Sequence, residues 1–133
     1  MAIGALALVY ALARSATWEA SQAMIVRDEA SGSVERPGKF RHIDEMKTVQ
    51  ETVLEMAKNH DVLAAALIEA GPIDGHTEDS WPTERDVAAF ADAVKLSPPK
   101  GAEFGTTEMF YLDVKAESRE RCVALASALA HQL

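Results

Sequence analysis

The stretch TEMFYLDVKA, residues 107–116, decides the fold of this chain. Phe110, Leu112 and Val114 occupy alternate positions in it, so their side chains share one face of an extended strand. Aromatic and β-branched residues of this kind favour half-buried strands. The opposite face carries Met109, Tyr111, Asp113 and Lys115. The pattern predicts a strand whose apolar face packs beneath other elements.

Two further strands are expected beside this one. Residues 94–97, VKLS, end at the turn-forming sequence of residues 98–101, PPKG. The connection is too short for a crossover, so this strand and the stretch 107–116 are expected to be antiparallel neighbours. Residues 18–27 also alternate, with one mainly apolar face that consists of Trp18, Ala20, Gln22, Met24 and Val26. Residues 29–41, EASGSVERPGKFR, predict a mobile loop.

Apolar residues at helical spacing predict four helices. The first two cover about residues 44–58 and 62–70. Thr83 opens the third with a sequence that resembles a capping box, and its inward residues are Val87, Phe90, Ala91 and Val94. Ser118 caps the fourth, whose apolar face consists of Cys122, Leu125, Ala126, Leu129 and Leu133. This last helix is still apolar at Leu133, so we expect the native chain to continue.

The order of these elements predicts an α/β (α+β) fold. We expect a small mixed sheet of about three strands covered by helices, preceded by an apolar N-terminal helix. The chain has 133 residues, a length typical of one domain.

The charge balance narrows the range of functions. The chain has twenty-one acidic and thirteen basic residues, which gives a net charge of −8. A chain this acidic lacks the basic surface that phosphate-driven nucleic-acid binding needs. The single cysteine, Cys122, excludes an internal disulfide and a cysteine-based zinc cluster.

The N-terminal stretch from Ala2 to Ala13 contains no charge. It is shorter than the roughly 20 residues that cross a bilayer as a helix. Three interpretations stay open from these residues: a core helix, a signal peptide, or the outer part of a membrane span.

The sequence offers no site with specific chemistry, so we name no catalytic, cofactor-binding or metal-binding residue. The loop from Asp74 to Asp79 is acidic and could bind a cation weakly, but such loops are usually only solvated. Cys122 is expected to be a small buried side chain, and the run Arg119-Glu120-Arg121 a solvated helix turn. Trp81-Pro82 is either a staple that holds the next helix to the core or an exposed docking point.

Several stretches resemble the polysaccharide chain-length determinant family, the Wzz-type polysaccharide co-polymerases. In that family a first transmembrane helix leads into an aromatic-x-Ala strand, which matches Trp18-Glu19-Ala20 followed by Met24-Ile25-Val26. Residues 58–63, KNHDVL, fit the helix break and the next helix start. Residues 89–133 resemble the family most closely, with a short strand, a Pro-Gly turn, a strand and an alanine-rich helix in that order.

The resemblance implies a non-enzymatic scaffold domain without cofactors. Residues 1–14 would be the end of an N-terminal transmembrane helix, anchored in the bacterial inner membrane through Ala2 to Ala13. Residues 15–133 would be one periplasmic domain, truncated at its C-terminal end. Its implied partners are copies of itself, a polysaccharide polymerase and the nascent glycan. The alternatives are a soluble α/β small-molecule sensor, with its site between Pro98 and Thr106 beside residues 73–81, and an enzyme fragment.

Overall fold

The computed structural model describes residues 17–33, 36–38, 40–73, 75 and 78–133. The apolar helix expected over residues 2–13 lies outside this part of the chain. None of the helices in the described part is long and apolar enough to cross a bilayer.

Three strands form one antiparallel sheet, in the order β1-β5-β4. They are β1 (Trp18–Ile25), β4 (Val94–Ser97) and β5 (Met109–Ala116). In the register, Trp18 lies opposite Ala116, and Val94 lies opposite Val114. The predicted fold class is therefore confirmed, and the pairing is antiparallel throughout this sheet rather than mixed.

The prediction of a mobile loop over residues 29–41 is wrong in part. β2 (Asp28–Ser33) and β3 (Arg36–Gly38) pair as a separate antiparallel hairpin. The Gly, Ser and Pro residues of this stretch are common in turns, but they do not prevent backbone pairing on either side of a turn. A hairpin held by backbone hydrogen bonds shows no apolar alternation, which is the signal that sequence analysis uses to find strands.

Four helices complete the described part of the chain. They are α1 (Ile43–Met56), α2 (His60–Ala70), α3 (Glu84–Ala93) and α4 (Arg119–Gln132). Residues Glu78–Ser80 form a single 3₁₀ turn.

The predicted N-caps of α3 and α4 are confirmed. Asp86 N–H donates to Thr83 Oγ1 over 3.3 Å, and Thr83 N–H donates to Asp86 Oδ2 over 2.8 Å, which completes a capping box. Ser118 Oγ accepts from Arg121 N–H over 3.2 Å. α2 begins two residues earlier than expected because the Asn59 side chain caps it.

The core lies on one face of the sheet, between the strands and the helices. Phe110, Leu112 and Val114 are 2%, 0% and 0% exposed, as the alternation predicts. Leu112 and Val114 belong to the main core, together with side chains of α2, α3 and α4. The opposite face of the sheet is open to solvent in the described part, where Glu19, Ser21, Ala23, Ile25, Lys95 and Lys115 are exposed.

One buried polar side chain joins α1 to the loop that leads into β5. Gln50 is 1% exposed; its Nε2 donates to the carbonyl of Thr107 over 2.6 Å, and its Oε1 accepts from Gly105 N–H over 2.7 Å. Gly105 adopts φ +88°, a conformation that favours glycine, and a Cβ there would lie 3.3 Å from Lys47 Cβ. Met46 packs beside it against Phe110 and Val26.

We expect Leu112→Ala to lower the free energy of unfolding by about 2–4 kcal/mol, because a fully buried side chain leaves a cavity in a packed core. Chemical denaturation monitored by circular dichroism measures the loss. Ile68→Ala is the control, since Ile68 is 62% exposed and should change stability by less than about 0.5 kcal/mol. A similarly small loss at Leu112 would contradict the assignment of this face to the core.

Candidate functional site

A shallow groove of about 740 Å³ lies where β5 ends and α4 begins. Its polar rim includes Asp86, Ser118 and Arg121. Its apolar surface includes Leu67, Ile73, Trp81, Phe90, Ala116 and Leu125. A volume of this size is typical of small-molecule sites, so this groove is the candidate functional site of the described part.

Arg121 connects three elements at the groove. Its Nη1 donates to the carbonyls of Gly71 over 2.7 Å and Ala70 over 3.3 Å, where α2 ends. The guanidinium carbon lies 5.3 Å from the centre of the Trp81 ring. A cation is favourable at a helix C-terminus and over an indole face. Arg121 therefore fixes the start of α4 against the end of α2 and against the loop that carries Trp81.

The remaining edge of the Arg121 guanidinium is enclosed. Nε and Nη2 are buried and have no hydrogen-bond partner within the described residues. This burial lowers the pKa of Arg121, and the charge of Asp86 opposes the shift. Arginine stays protonated even so, because its ordinary pKa lies far above neutrality. The groove thus contains a permanent positive charge. Its contacts are the carbonyls of Ala70 and Gly71 and the ring of Trp81.

Trp81 acts as a staple in this structure. Its Nε1–H donates to the carbonyl of Leu67 over 2.9 Å, and its ring packs against the main core. Half-buried tryptophan usually finds such a partner for its N–H. Of the two interpretations of Trp81-Pro82, the contacts favour attachment of the following helix to the core.

Cys122 is a small buried side chain, as expected. It is 1% exposed, and its Sγ–H donates to the carbonyl of Trp18 over 3.0 Å. This contact joins the first residue of β1 to the first turn of α4. Cys122 thus contributes to packing, and its thiol is not accessible to solvent.

The other residues considered from the sequence do not converge on one site. His60 Nε2 lies 3.0 Å from Glu84 Oε2, and His131 Nδ1 lies 2.7 Å from Glu69 Oε1, at separate positions on α2. Within the described residues no three His, Cys, Asp or Glu side chains are grouped to hold a metal ion. Asp74, His76 and Thr77, which belong to the loop considered for a cation, lie outside the described residues.

The two segments considered for a sensor site, between Pro98 and Thr106 and in residues 73–81, do not meet in the part of the chain that the structure describes. Gly105 contacts α1 near the start of β5. Ile73 and Trp81 line the groove at the other end of β5, with Ala116. The two loops therefore lie at opposite ends of the central strand.

The prediction that Arg119, Glu120 and Arg121 form a solvated helix turn is wrong for one of the three residues. Arg119 and Glu120 are exposed, but Arg121 is partly buried in the groove. Its position next to Cys122 on the helical repeat places it at the border of the apolar face. That border position could have indicated from the sequence that Arg121 is partly buried. Its acceptors could not be found in this way, because the carbonyls of Ala70 and Gly71 belong to a distant segment.

We expect Arg121→Met to lower the free energy of unfolding by about 1–3 kcal/mol, because the carbonyls at the end of α2 lose their charged donor. Arg121→Lys should recover part of the loss, since it keeps the charge without the planar stack on Trp81. Arg119→Met, at an exposed position two residues earlier in the same helix, is the matched control. Equal stability of the two methionine variants in urea would contradict the role given to Arg121.

The pH dependence of stability should reveal the His60 contact. Hydrogen bonds to Asp61 and Glu84 raise the pKa of His60 above its ordinary value of 6.5. A raised pKa stabilises the folded state fully below the unfolded-state pKa, and this gain is lost as the pH rises through the folded-state pKa.

We therefore expect the wild type to have a higher Tm than His60→Gln at about pH 5.5, and the difference to shrink at about pH 8.5. All three side chains are exposed, so the effect is small. Glu84→Gln should reduce the same difference. Thermal melts at both pH values measure it, and a gap that widens towards alkaline pH would contradict the assignment.

No family model, no curated protein and no solved structure matches this chain. The resemblance to chain-length determinants therefore stays a hypothesis.

Proposed function

We propose that this chain is a scaffold domain of a bacterial inner-membrane protein that regulates the chain length of a surface polysaccharide. Such a protein acts by oligomerisation and catalyses no reaction. The domain faces the periplasm, and residues 2–13 anchor it in the membrane. Its partners are further copies of the chain, a polysaccharide polymerase and the growing glycan.

The pairing of β1 with β5 is the observation on which the proposal rests. It brings Trp18-Glu19-Ala20 into the same sheet as residues 109–116, so two separate segments of the resemblance form one structural unit. β4, the Pro-Gly turn, β5 and α4 follow in the order that is typical of the family. A sheet that starts immediately after an apolar stretch suits a domain held close to a membrane.

The contacts of the polar side chains support a scaffold over an enzyme. Arg121 donates to the carbonyls at the end of α2, and Lys58 Nζ donates to the carbonyls of Ala91 and Val94 at the end of α3. The Gln50 side chain accepts from the N–H of Gly105 and donates to the carbonyl of Thr107. Arg121 Nη1, Lys58 Nζ and the Gln50 amide each bond the protein backbone, where they stabilise the fold.

Deletion of the gene in its native cell tests the proposal. We expect the length distribution of a surface polysaccharide to change while sugar synthesis continues, because the protein sets length and does not make bonds. Gel electrophoresis of extracted polysaccharide measures the distribution, and the restored wild-type gene is the control. An unchanged distribution would contradict the chain-length function.

A truncated chain tests the separation between anchor and domain. We expect removal of residues 1–14 to leave a folded, more soluble domain, because a helix that is apolar on all sides has no face of its own for solvent. Light scattering should report one copy in dilute solution, since weak contacts between domains gain strength only when tethering raises their effective concentration. A truncated chain that unfolds would place residues 1–14 in the core and remove the support for a membrane anchor.

A small-molecule sensor is the second candidate, and the groove beside Trp81 and Arg121 favours it. A sensor predicts that one compound from a panel of sugars and amino acids raises the Tm of the trimmed domain. Substitution of exposed Ala89, which lines the groove, by Trp should then abolish the shift without unfolding the domain. Absence of any shift across the panel would leave the scaffold function favoured.

A further inference from the structure

The two edges of the main sheet differ in their protection against pairing with a further strand. At one edge, β4 has only four residues, carries exposed Lys95 and runs into Pro98-Pro99, which have no backbone N–H to donate. Short length, lysine and proline are common means by which edge strands avoid other chains. At the other edge, β1 has eight residues, no proline and one charged side chain, Glu19. Within the described residues β1 pairs only with β5, so its outer edge is open there.

The ladder between β1 and β5 identifies the backbone groups at this outer edge. Val26 N–H donates to the carbonyl of Glu108 over 3.0 Å, which continues the ladder one residue beyond Ile25. Hydrogen-bonded pairs alternate along an antiparallel ladder, so Val26 and every second residue before it direct their backbone groups to β5. The residues between them direct their N–H and C=O groups away from the sheet. These are Glu19, Ser21, Ala23 and Ile25, and all four side chains are exposed.

The charges at the two ends of this edge complement each other. Glu19 lies near the start of β1, and exposed Arg27 follows shortly after its end. The Glu19 side chain, which lies 3.7 Å from Lys115, is still 51% exposed and can contact a second cation. Two copies of the strand in antiparallel orientation bring Glu19 of each copy towards Arg27 of the other. A parallel pair in register would instead place like charges side by side, which is destabilising.

The outward backbone groups also complement each other in one antiparallel register. With Gln22 of both copies at a twofold axis, Ser21 of one copy lies opposite Ala23 of the other, and Glu19 lies opposite Ile25. Each of the four outward residues then has one of the same four as its partner, and both hydrogen bonds of every such pair can form. The outer edge of β1 is therefore suited to pair with itself.

We propose that two copies of this chain pair through the outer edges of their β1 strands, in antiparallel orientation, with Gln22 of both copies at the twofold axis. The two three-stranded sheets then form one continuous sheet. A twofold pair is the commonest symmetry of protein oligomers. This inference rests on the proposed function, which needs contacts between copies of the chain, and it names the surface of one such contact.

The pairing is weak between free molecules. A strand of this length spans about 27 Å, and roughly eight hydrogen bonds join two such edges. The strip that they cover is narrow, so this contact lies at the low end of the size range of specific interfaces. Attachment of both copies to one membrane raises their effective concentration and favours the pair. The pairing thus agrees with a single copy in dilute solution.

Disulfide cross-linking of the full chain tests the pairing. Concentrated protein, in a detergent that keeps residues 2–13 in solution, is oxidised and separated on a non-reducing gel. Gln22→Cys, at an exposed position, places a thiol at the twofold axis. The two Cα atoms of a non-hydrogen-bonded pair lie about 4.5 Å apart, a distance that a disulfide bridges. Native Cys122 is 1% exposed, so the wild type gives the baseline.

Two further cysteine variants are the controls. Ser21→Cys changes the neighbouring exposed residue of the same strand. In the proposed register its two Cα atoms lie about 8 Å apart, which is too far for a disulfide. Lys95→Cys, on the opposite edge of the sheet, measures dimer that forms by random collision. Circular dichroism checks that each variant is folded.

A charge exchange tests whether the partner is a second copy. In the Gln22→Cys background, one variant adds Ser21→Glu and Ala23→Glu, and a second variant adds Ser21→Lys and Ala23→Lys. Each alone should lose the cross-link, because like charges then lie opposite each other. An equal mixture of the two should regain it as a mixed dimer, identified by an affinity tag on one variant.

We expect Gln22→Cys to give several-fold more reducible dimer than Ser21→Cys or Lys95→Cys. Equal dimer from all three, or cross-linking that persists in each charge variant alone, would overturn the proposal. Absence of dimer from Gln22→Cys would also overturn it. In that case, slow hydrogen exchange at the N–H groups of residues 21 and 23 would show that another segment of the same chain occupies the edge.

The deletion strain separates this pairing from the chain-length function. Cross-linking at position 22 with an unchanged polysaccharide would uphold the pairing and reject the chain-length function. A changed polysaccharide without cross-linking at position 22 would reject the pairing alone.

Discussion

Burial of the central strand is the constraint on which the other elements depend. β5 is paired on both edges, by β1 and by β4, and its inward side chains are almost fully excluded from water. A strand in this position must have an apolar face, and that face must be covered. α2, α3 and α4 cover this face. Their apolar faces and their order along the chain therefore serve to bury the eight residues of β5.

α2 and α3 are held in place at their C-terminal ends by cations from other segments. Arg121 of α4 donates to the end of α2, and Lys58, just before α2, donates to the end of α3. The last carbonyls of a helix have no partner within it, so each would otherwise depend on water. These contacts tie α4 to the end of α2 and the segment before α2 to the end of α3, and the groove beside Trp81 lies at the first of these junctions.

Much of the fold could be predicted because its signals are local. The alternation in residues 107–116 and the caps at Thr83 and Ser118 each depend on neighbours within a few positions. The hairpin of β2 and β3 was missed because it is formed by backbone pairing, for which side-chain periodicity gives no signal. The role of Arg121 was missed because its partners, Ala70 and Gly71, come from another helix. The sequence indicated no site, and the groove exists only once three distant segments meet.

The pairing of β1 with β5 has a consequence for how the domain is made. Trp18 and Ala116 are neighbours in the sheet, although almost the whole described chain separates them. β4 and β5, by contrast, are joined by a short connection and pair early at small entropic cost. During synthesis, β1 leaves the ribosome long before its partner exists. The first strand of a nascent chain therefore stays unpaired until β5 has been synthesised, and its backbone N–H and C=O groups are open to pairing with other chains during that time.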